Sequence, residues 1–247
     1  MNLSLISVLL TAPLMLFGAA TTNDTFHWTG NVPAGQQIEI RGINGNIHAQ
    51  PARGDSVDVI AYKSGRAVDP GAIGVKVLEH DGGVTIVAVP GTSSPTTGDA
   101  NIDFTVSVPS GVRFVARTVN GLVEAKSLDA DAEAHTVNGD VVLSTSGTAQ
   151  GETVNGSITA SVGKISSALK FSTVNGAISL EVPRGASAHI RARTKNGPIR
   201  SDFHLAVHGE FPAQHAEGVI GCGGPELQIA TVNGSISVRR NKRFTKL

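Results

Sequence analysis

Apolar residues in this chain recur around a fixed marker. Asn-Gly occurs seven times, at Asn44, Asn120, Asn138, Asn155, Asn175, Asn196 and Asn233. Five copies read Thr-Val-Asn-Gly, beginning at Thr118, Thr136, Thr153, Thr173 and Thr231. Counted from each Asn, positions −6, −4, −1, +3 and +5 are apolar in 32 of 35 cases, the exceptions being Gly151, Lys195 and Ser201. Chance at this composition gives about 14. At −5, −3 and +4 only Val115, Val142 and Ala230 are apolar, three of 21. Period-two alternation on both sides of the Asn predicts short strands with one buried face.

The apolar phase slips by one residue between −4 and −1. Such a slip predicts a corner that keeps its inward face inward, with the Val of Thr-Val-Asn-Gly in the core. Asn and Gly suit a corner because both tolerate positive φ. A second corner reads Val-Pro-x-Gly, at Val32–Gly35, Val108–Gly111 and Val182–Gly185, with Pro 11, 11 and 13 residues before the next Asn. Ser146-Gly147 is placed to do the same in a shorter rung.

Successive markers lie 76, 18, 17, 20, 21 and 37 residues apart. The last interval is about two periods, as if one rung lost its marker or gained a loop. Asn-Gly between alternating runs is also a hairpin signal, so a hairpin-built sandwich or roll competes with a coil. A period of 17–21 residues fits two strands and two corners per turn, and identical corner residues can stack as ladders. The expected fold is therefore all-β, a β-solenoid of roughly 17–21-residue rungs. Residues 50–108 alternate without Asn-Gly and are expected to form an inserted N-terminal β-meander, with a hairpin turn at Asp81-Gly82-Gly83 and a loop over Gly91–Asn101. Residues 21–247 are expected to form one domain, with rungs over 109–240 and a basic tail over 241–247.

Composition narrows the function classes. Twenty Lys plus Arg balance twenty Asp plus Glu, which argues against wholesale nucleic-acid binding. One Cys excludes a disulfide framework and a multi-cysteine zinc site. Residues 1–20 are uncharged, mostly apolar and end in Gly18, Ala19 and Ala20, the pattern of a signal peptide. Ser4, Ser7, Thr11 and Pro13 make that run a poor membrane span, and the mature chain is expected to carry no transmembrane segment.

The repeated Thr-Val-Asn-Gly-x-Ile, the Val-Pro-x-Gly corners and the closing GCGGPELQIATVNGSISV resemble a bacterial "putative adhesin" β-strand-repeat family of unknown function, over roughly residues 33–240. The resemblance implies an exported or envelope-associated repeat domain, periplasmic or extracellular, and carries no catalytic residues. Lys195 before Asn196, and Cys222 within a glycine run, depart from the pattern.

Candidate chemistry is sparse. His204 and His208, with His215 and Cys222 downstream, do not have the convergence a metal site needs, since i,i+4 on a strand spans roughly 13 Å. Asp129, Asp131 and Glu133 alternate with alanines and read as a solvated face rather than a calcium site. Neither a Gly-x-Ser-x-Gly elbow nor a phosphate loop nor HExxH occurs, and no cofactor is expected. Lys170, Arg184, Arg191, Arg193, Lys195 and Arg200 fall on adjacent rungs and would form one basic stripe if rungs stack about 4.8 Å apart. The expected function is a non-enzymatic exported scaffold or interaction module of the envelope or surface, adhesin-like, with homotypic assembly open through its end rungs. The alternative is a binding module for an anionic envelope polymer, glycan or lipid headgroups on the stripe. A polysaccharide-active β-helix enzyme is the third reading, weakened because Trp28 and Tyr62, the sole Trp and Tyr, lie outside the repeat.

Overall fold

A computed structural model describes residues 24–64, 73–90, 101–210 and 212–241. The expected leader, nearly all of the Gly91–Asn101 loop and the basic tail beyond Asn241 lie outside these residues. Among the described residues there is no helix, only twenty-one strands in sheets of ten and eleven.

At each Asn-Gly the chain leaves one sheet and enters the other. In chain order the strand pairs flanking the seven markers are β2 (Gln37–Arg41) and β3 (Ile47–Pro51), β8 (Arg113–Arg117) and β9 (Val123–Leu128), and β10 (Ala132–His135) and β11 (Val141–Thr145). Next come β12 (Ala149–Glu152) and β13 (Ile158–Val162), then β14 (Leu169–Ser172) and β15 (Ile178–Val182). The last two pairs are β16 (Ala188–Asn196) with β17 (Ile199–Ser201), and β20 (Glu226–Asn233) with β21 (Ile236–Arg240). Hairpins would pair these flanking strands with each other, whereas here they sit in opposite sheets and pair in parallel with the next rung. The result is a solenoid-like stack of parallel rungs.

Equivalent positions stack in register. Ile47, Val123, Val141, Ile158, Ile178, Ile236 and Ile199 form one row at position +3, and all are buried. Large and small residues compensate along such rows: Phe114 faces Ala132, which faces Ala149. The apparent exception Gly151 leaves space beside Phe171, Val141 and Ile158.

The corner differs from the expected one. The inward residue is Thr at −2, not Val at −1. Thr118, Thr136, Thr153, Thr173, Thr194 and Thr231 are buried, while Val119, Val137, Val154 and Val174 are about 40 % exposed. Alternation simply continues through −6, −4 and −2. A buried hydroxyl needs a partner, and each Thr finds it in the carbonyl of the marker glycine one rung away: Thr136 to Gly121 at 3.1 Å, Thr153 to Gly139 at 2.9 Å, Thr173 to Gly156 at 2.8 Å. The glycines serve close approach more than positive φ. A methyl group on Gly139, Gly156, Gly176 or Gly234 would overlap the carbonyl of the glycine beneath it.

Rung order in space is not chain order. The C-terminal rung β20/β21 lies between β14/β15 and β16/β17. The 37-residue interval holds an antiparallel hairpin, β18 (Ala206–His208) and β19 (Gln214–Ile220), which extends the eleven-stranded sheet past β16. At the other end β2/β3 is flanked on its outer side by β6 (Gly83–Pro90) and β7 (Asn101–Val108), both parallel to it. β4 (Val57–Ser64) pairs antiparallel with β7 and with β1 (Asp24–Gly30), while β5 (Ile73–His80) pairs antiparallel with β6. Residues 50–108 are thus divided between the two sheets rather than running as one consecutive meander.

Steric stacking at the corner predicts an asymmetry among glycines. Gly156→Ala is expected to lose about 3 kcal/mol of unfolding free energy by overpacking. Gly185→Ala, where the added methyl meets nothing within 4 Å, stays within about 0.5 kcal/mol. Urea unfolding of the two variants checks it.

Candidate functional site

Three outward surfaces of the stack carry chemistry. On the eleven-stranded sheet, positions −5 and −3 place charges on successive rungs. Glu39 is nearly buried and accepts hydrogen bonds from Arg41 Nε and Nη2, both 2.9 Å, from Arg117 Nε at 3.0 Å and from the Thr85 hydroxyl at 3.3 Å. Arg117 Nη2 also donates to Glu133 at 2.8 Å, which Arg113 reaches as well and which lies 2.7 Å from His135 Nε2. His135 Nδ1 is 3.4 Å from Glu152, whose other oxygen is 2.6 Å from Lys170 Nζ. Burial pushes the carboxyls of Glu39, Glu133 and Glu152 up, but hydrogen bonds and charge from Arg, Lys and His partners outweigh it and leave all three below the usual range. Glu39, Glu133 and Glu152 are thus each occupied by cationic side chains of their own or a nearby rung.

The second surface is the Asn-Gly corner. Asn120 Nδ2 donates to Asn44 Oδ1 at 2.7 Å, and the same bond repeats from Asn138, Asn155, Asn175, Asn233 and Asn196 at 2.6–2.8 Å. Seven side-chain amides thus form one continuous ladder with every amide oriented alike. Beside it runs an apolar ridge of Ile43, Val119, Val137, Val154 and Val174, all exposed, followed by half-buried Val232. Lys195, exposed at the same position of the end rung, terminates it. The sequence pattern contained these residues but assigned them to the core.

The third surface is a groove of about 840 Å³ on the outer face of the ten-stranded sheet, lined by Ser144, Ser161, Ser237, Glu181, Arg200 and Arg239. Asp202 and Arg240 also line it. Ser144, Ser161, Glu181 and Arg239 are register partners in one row. All four sit at position +6 from their Asn, so extending the alignment by one residue would have found the row.

The six residues expected to share a stripe fall on separate surfaces. Lys170, Arg191 and Arg193 lie on the eleven-stranded sheet, but β20 with Gln228 intervenes between Lys170 and Arg191. Arg191 bonds Glu217 at 3.1 Å and Glu226 at 2.8 Å, and Arg193 lies 3.9 Å from Glu217. Arg184 is exposed at the second corner, Lys195 ends the ridge, and Arg200 is on β17 in the other sheet. The chain switches sheets between Lys195 and Arg200, which parts them. His208 and His215 stack across β18 and β19 with ring centroids 5.2 Å apart. Among the described residues no group of three or more His, Cys, Asp or Glu is placed to hold a metal. Asp129 is bonded by Ser110 and Ser146, and Asp131 by the Thr148 amide, so neither converges with Glu133. Cys222 is exposed, with its amide bonded to Ser187.

The model of the Toastrack DUF4097 family matches residues 32–239. Among solved structures, one described as a putative cell adhesion protein from Clostridium sporogenes ATCC 15579 aligns with 89 % of this chain and 100 % of its own, at 8 % identity and a TM-score of 0.49. A putative adhesin from Bacteroides fragilis NCTC 9343 aligns with 88 % of this chain and 97 % of its own, at 13 % identity and a TM-score of 0.33. Among curated proteins none is significantly similar.

The carboxylate chain makes stability depend on acid. Because folded Glu39, Glu133 and Glu152 have lowered pKa values, their contribution is fully present above the unfolded value near about 4.3. It is lost as pH falls through the folded values. The melting temperature is expected to hold from neutral pH down to about 5 and drop below about 4.3, with a shallower drop in Glu133→Gln; melts across that range check it.

Proposed function

This chain belongs to the Toastrack DUF4097 family, and from that premise we propose that it is a non-enzymatic, exported scaffold of the cell envelope or surface that works by displaying stacked side chains for interaction. The observation that carries this reading is the ridge at the Asn-Gly corner. Isolated exposed apolar residues are ordinary, but contiguous ones mark contact surfaces. Here β-branched side chains are exposed in register on consecutive rungs, although the core beneath is already filled by the Thr and +3 rows.

Display requires rigidity rather than chemistry, and the stack supplies it. Corner amides bond between rungs as the strands do: Asn138 N to Val119 O at 2.8 Å and Gly139 N to Asn155 O at 3.0 Å. The reading as a non-enzyme is supported by the paired carboxylates, since glycoside hydrolysis calls for one carboxylic acid with a raised pKa and Glu39, Glu133 and Glu152 are lowered. Export is supported by the apolar run of residues 1–20 with its small-residue end.

Replacing Val119, Val137, Val154 and Val174 together by Ser is expected to cost about 0.5 kcal/mol or less per site while abolishing co-sedimentation of the purified chain with envelope fractions. Unchanged co-sedimentation in a folded variant overturns the ridge as the contact surface. N-terminal sequencing of protein recovered outside the cytoplasm is expected to begin at Thr21.

A further inference from the structure

The geometry points to the groove on the ten-stranded sheet as a binding site for a carboxylated oligosaccharide, a chain of uronic-acid sugars, held by Arg200, Arg239 and Arg240 over a floor of serines. The inference rests on the reading of the chain as an interaction module and supplies it with a ligand class.

Available charge distinguishes this surface. On the eleven-stranded sheet Arg41, Arg113, Arg117, Lys170, Arg191 and Arg193 each have a carboxylate oxygen within 4 Å. Among the described residues no carboxylate comes that close to the side chains of Arg200, Arg239 or Arg240. Among the described residues, Arg239 Nε bonds the Ser237 hydroxyl, at 3.2 Å. Arg240 places its guanidinium over the Phe203 ring, 5.0 Å from the centroid, while its backbone amide takes Asp202 Oδ2 at 3.1 Å. Glu181 is the register partner of Arg239 yet forms no ion pair with it. The Arg239 and Arg240 guanidiniums are therefore positioned, and among the described residues none of the three is ion-paired, which leaves them able to make charge-assisted, forked bonds to a carboxylate.

The remaining lining selects among anions. Ser144, Ser161 and Ser237 offer hydroxyls that donate and accept, and Asn241 Nδ2 holds Ser161 Oγ at 3.1 Å. Glu181 and Asp202 are acceptors suited to sugar hydroxyls, and they repel a ligand that carries charge at every position without hydroxyl donors. Val238, the one apolar residue among the described lining, is buried, so that lining presents no apolar side chain to a bilayer. Positive forks, hydroxyl floor and isolated acceptors together match a polyhydroxylated chain with carboxylates. The groove volume, about 840 Å³, accommodates several sugar units, and strands cross its floor about 4.8 Å apart, so equivalent side chains meet successive units.

Calorimetric titration of the full mature chain with unbranched hexagalacturonate tests the proposal, with the fully methyl-esterified hexasaccharide, inorganic polyphosphate and phosphatidylglycerol vesicles as the other arms. Binding of the acid form, weakened by salt and at least ten-fold weaker for the ester, is expected. Arg200→Ala with Arg239→Ala is expected to weaken binding at least ten-fold at unchanged melting temperature, and Arg191→Ala with Arg193→Ala to leave it unchanged. No binding of the acid form, equal binding of acid and ester, an unaffected Arg200/Arg239 variant, or tighter binding of polyphosphate or vesicles overturns the proposal. The Val-to-Ser ridge variant is titrated in parallel. Retained hexagalacturonate binding there, with lost envelope co-sedimentation, assigns the two surfaces separately. Absence of hexagalacturonate binding by the unsubstituted chain, with its co-sedimentation intact and lost in the ridge variant, refutes the groove alone.

Discussion

Everything in this stack depends on how closely one Asn-Gly corner sits upon the next. A glycine carbonyl on one rung faces the bare Cα of the glycine above it, and the Thr hydroxyl of that upper rung reaches the same carbonyl from inside. Any side chain on the glycine forces the corners apart. Strands on both sides then lose their register, because a parallel ladder tolerates little spread in its spacing. The corner is thus the element that sets the pitch of both sheets. Its amide ladder and exposed ridge follow from that pitch rather than the other way round.

Given a fixed pitch, each surface position becomes a row, and the rows have different fates. Positions −5 and −3 bring charges of both signs together on the same and neighbouring rungs, so these charges quench one another along the stack. Position −1 repeats one apolar type and can only be covered from outside. Position +6 changes from Ser to Glu to Arg toward one end, which concentrates unquenched charge there. A neutral protein thereby presents one self-satisfied face, one apolar edge and one locally cationic groove.

Much of this was legible before any coordinates. Asn-Gly spacing and the apolar rows at −6, −4, +3 and +5 specified short strands and favoured a corner between sheets, while a hairpin at the same Asn-Gly stayed open. The phase at −1 misled because hydrophobicity was taken to mean burial, whereas Thr153 can occupy the core at little cost once Gly139 O accepts its hydroxyl. The basic residues were legible one by one but not as surfaces. Neighbour relations depend on the spatial succession of rungs, and nothing local to Asn196 or Asn233 says that the later one lies inside the earlier. Arg200 was named as a stripe residue, but its grouping with Arg239 escaped for the same reason: the two are far apart in the chain and line one groove only because β17 pairs with β21.

That exchange of rungs has a consequence for how the molecule comes into being. At one end β2/β3 is enclosed by β6/β7 and β8/β9, and at the other β20/β21 is enclosed by β14/β15 and β16/β17. The rung made last is therefore an interior one, whereas β1, the first described strand, lies at an edge of the ten-stranded sheet. A chain emerging N-terminus first from synthesis cannot wind up turn by turn in sequence order, because an interior layer arrives last. Its far half must wait, unzipped, for the final strands. A prematurely terminated product would lack a middle course rather than a cap, and synthesis must run to completion before the rod can close.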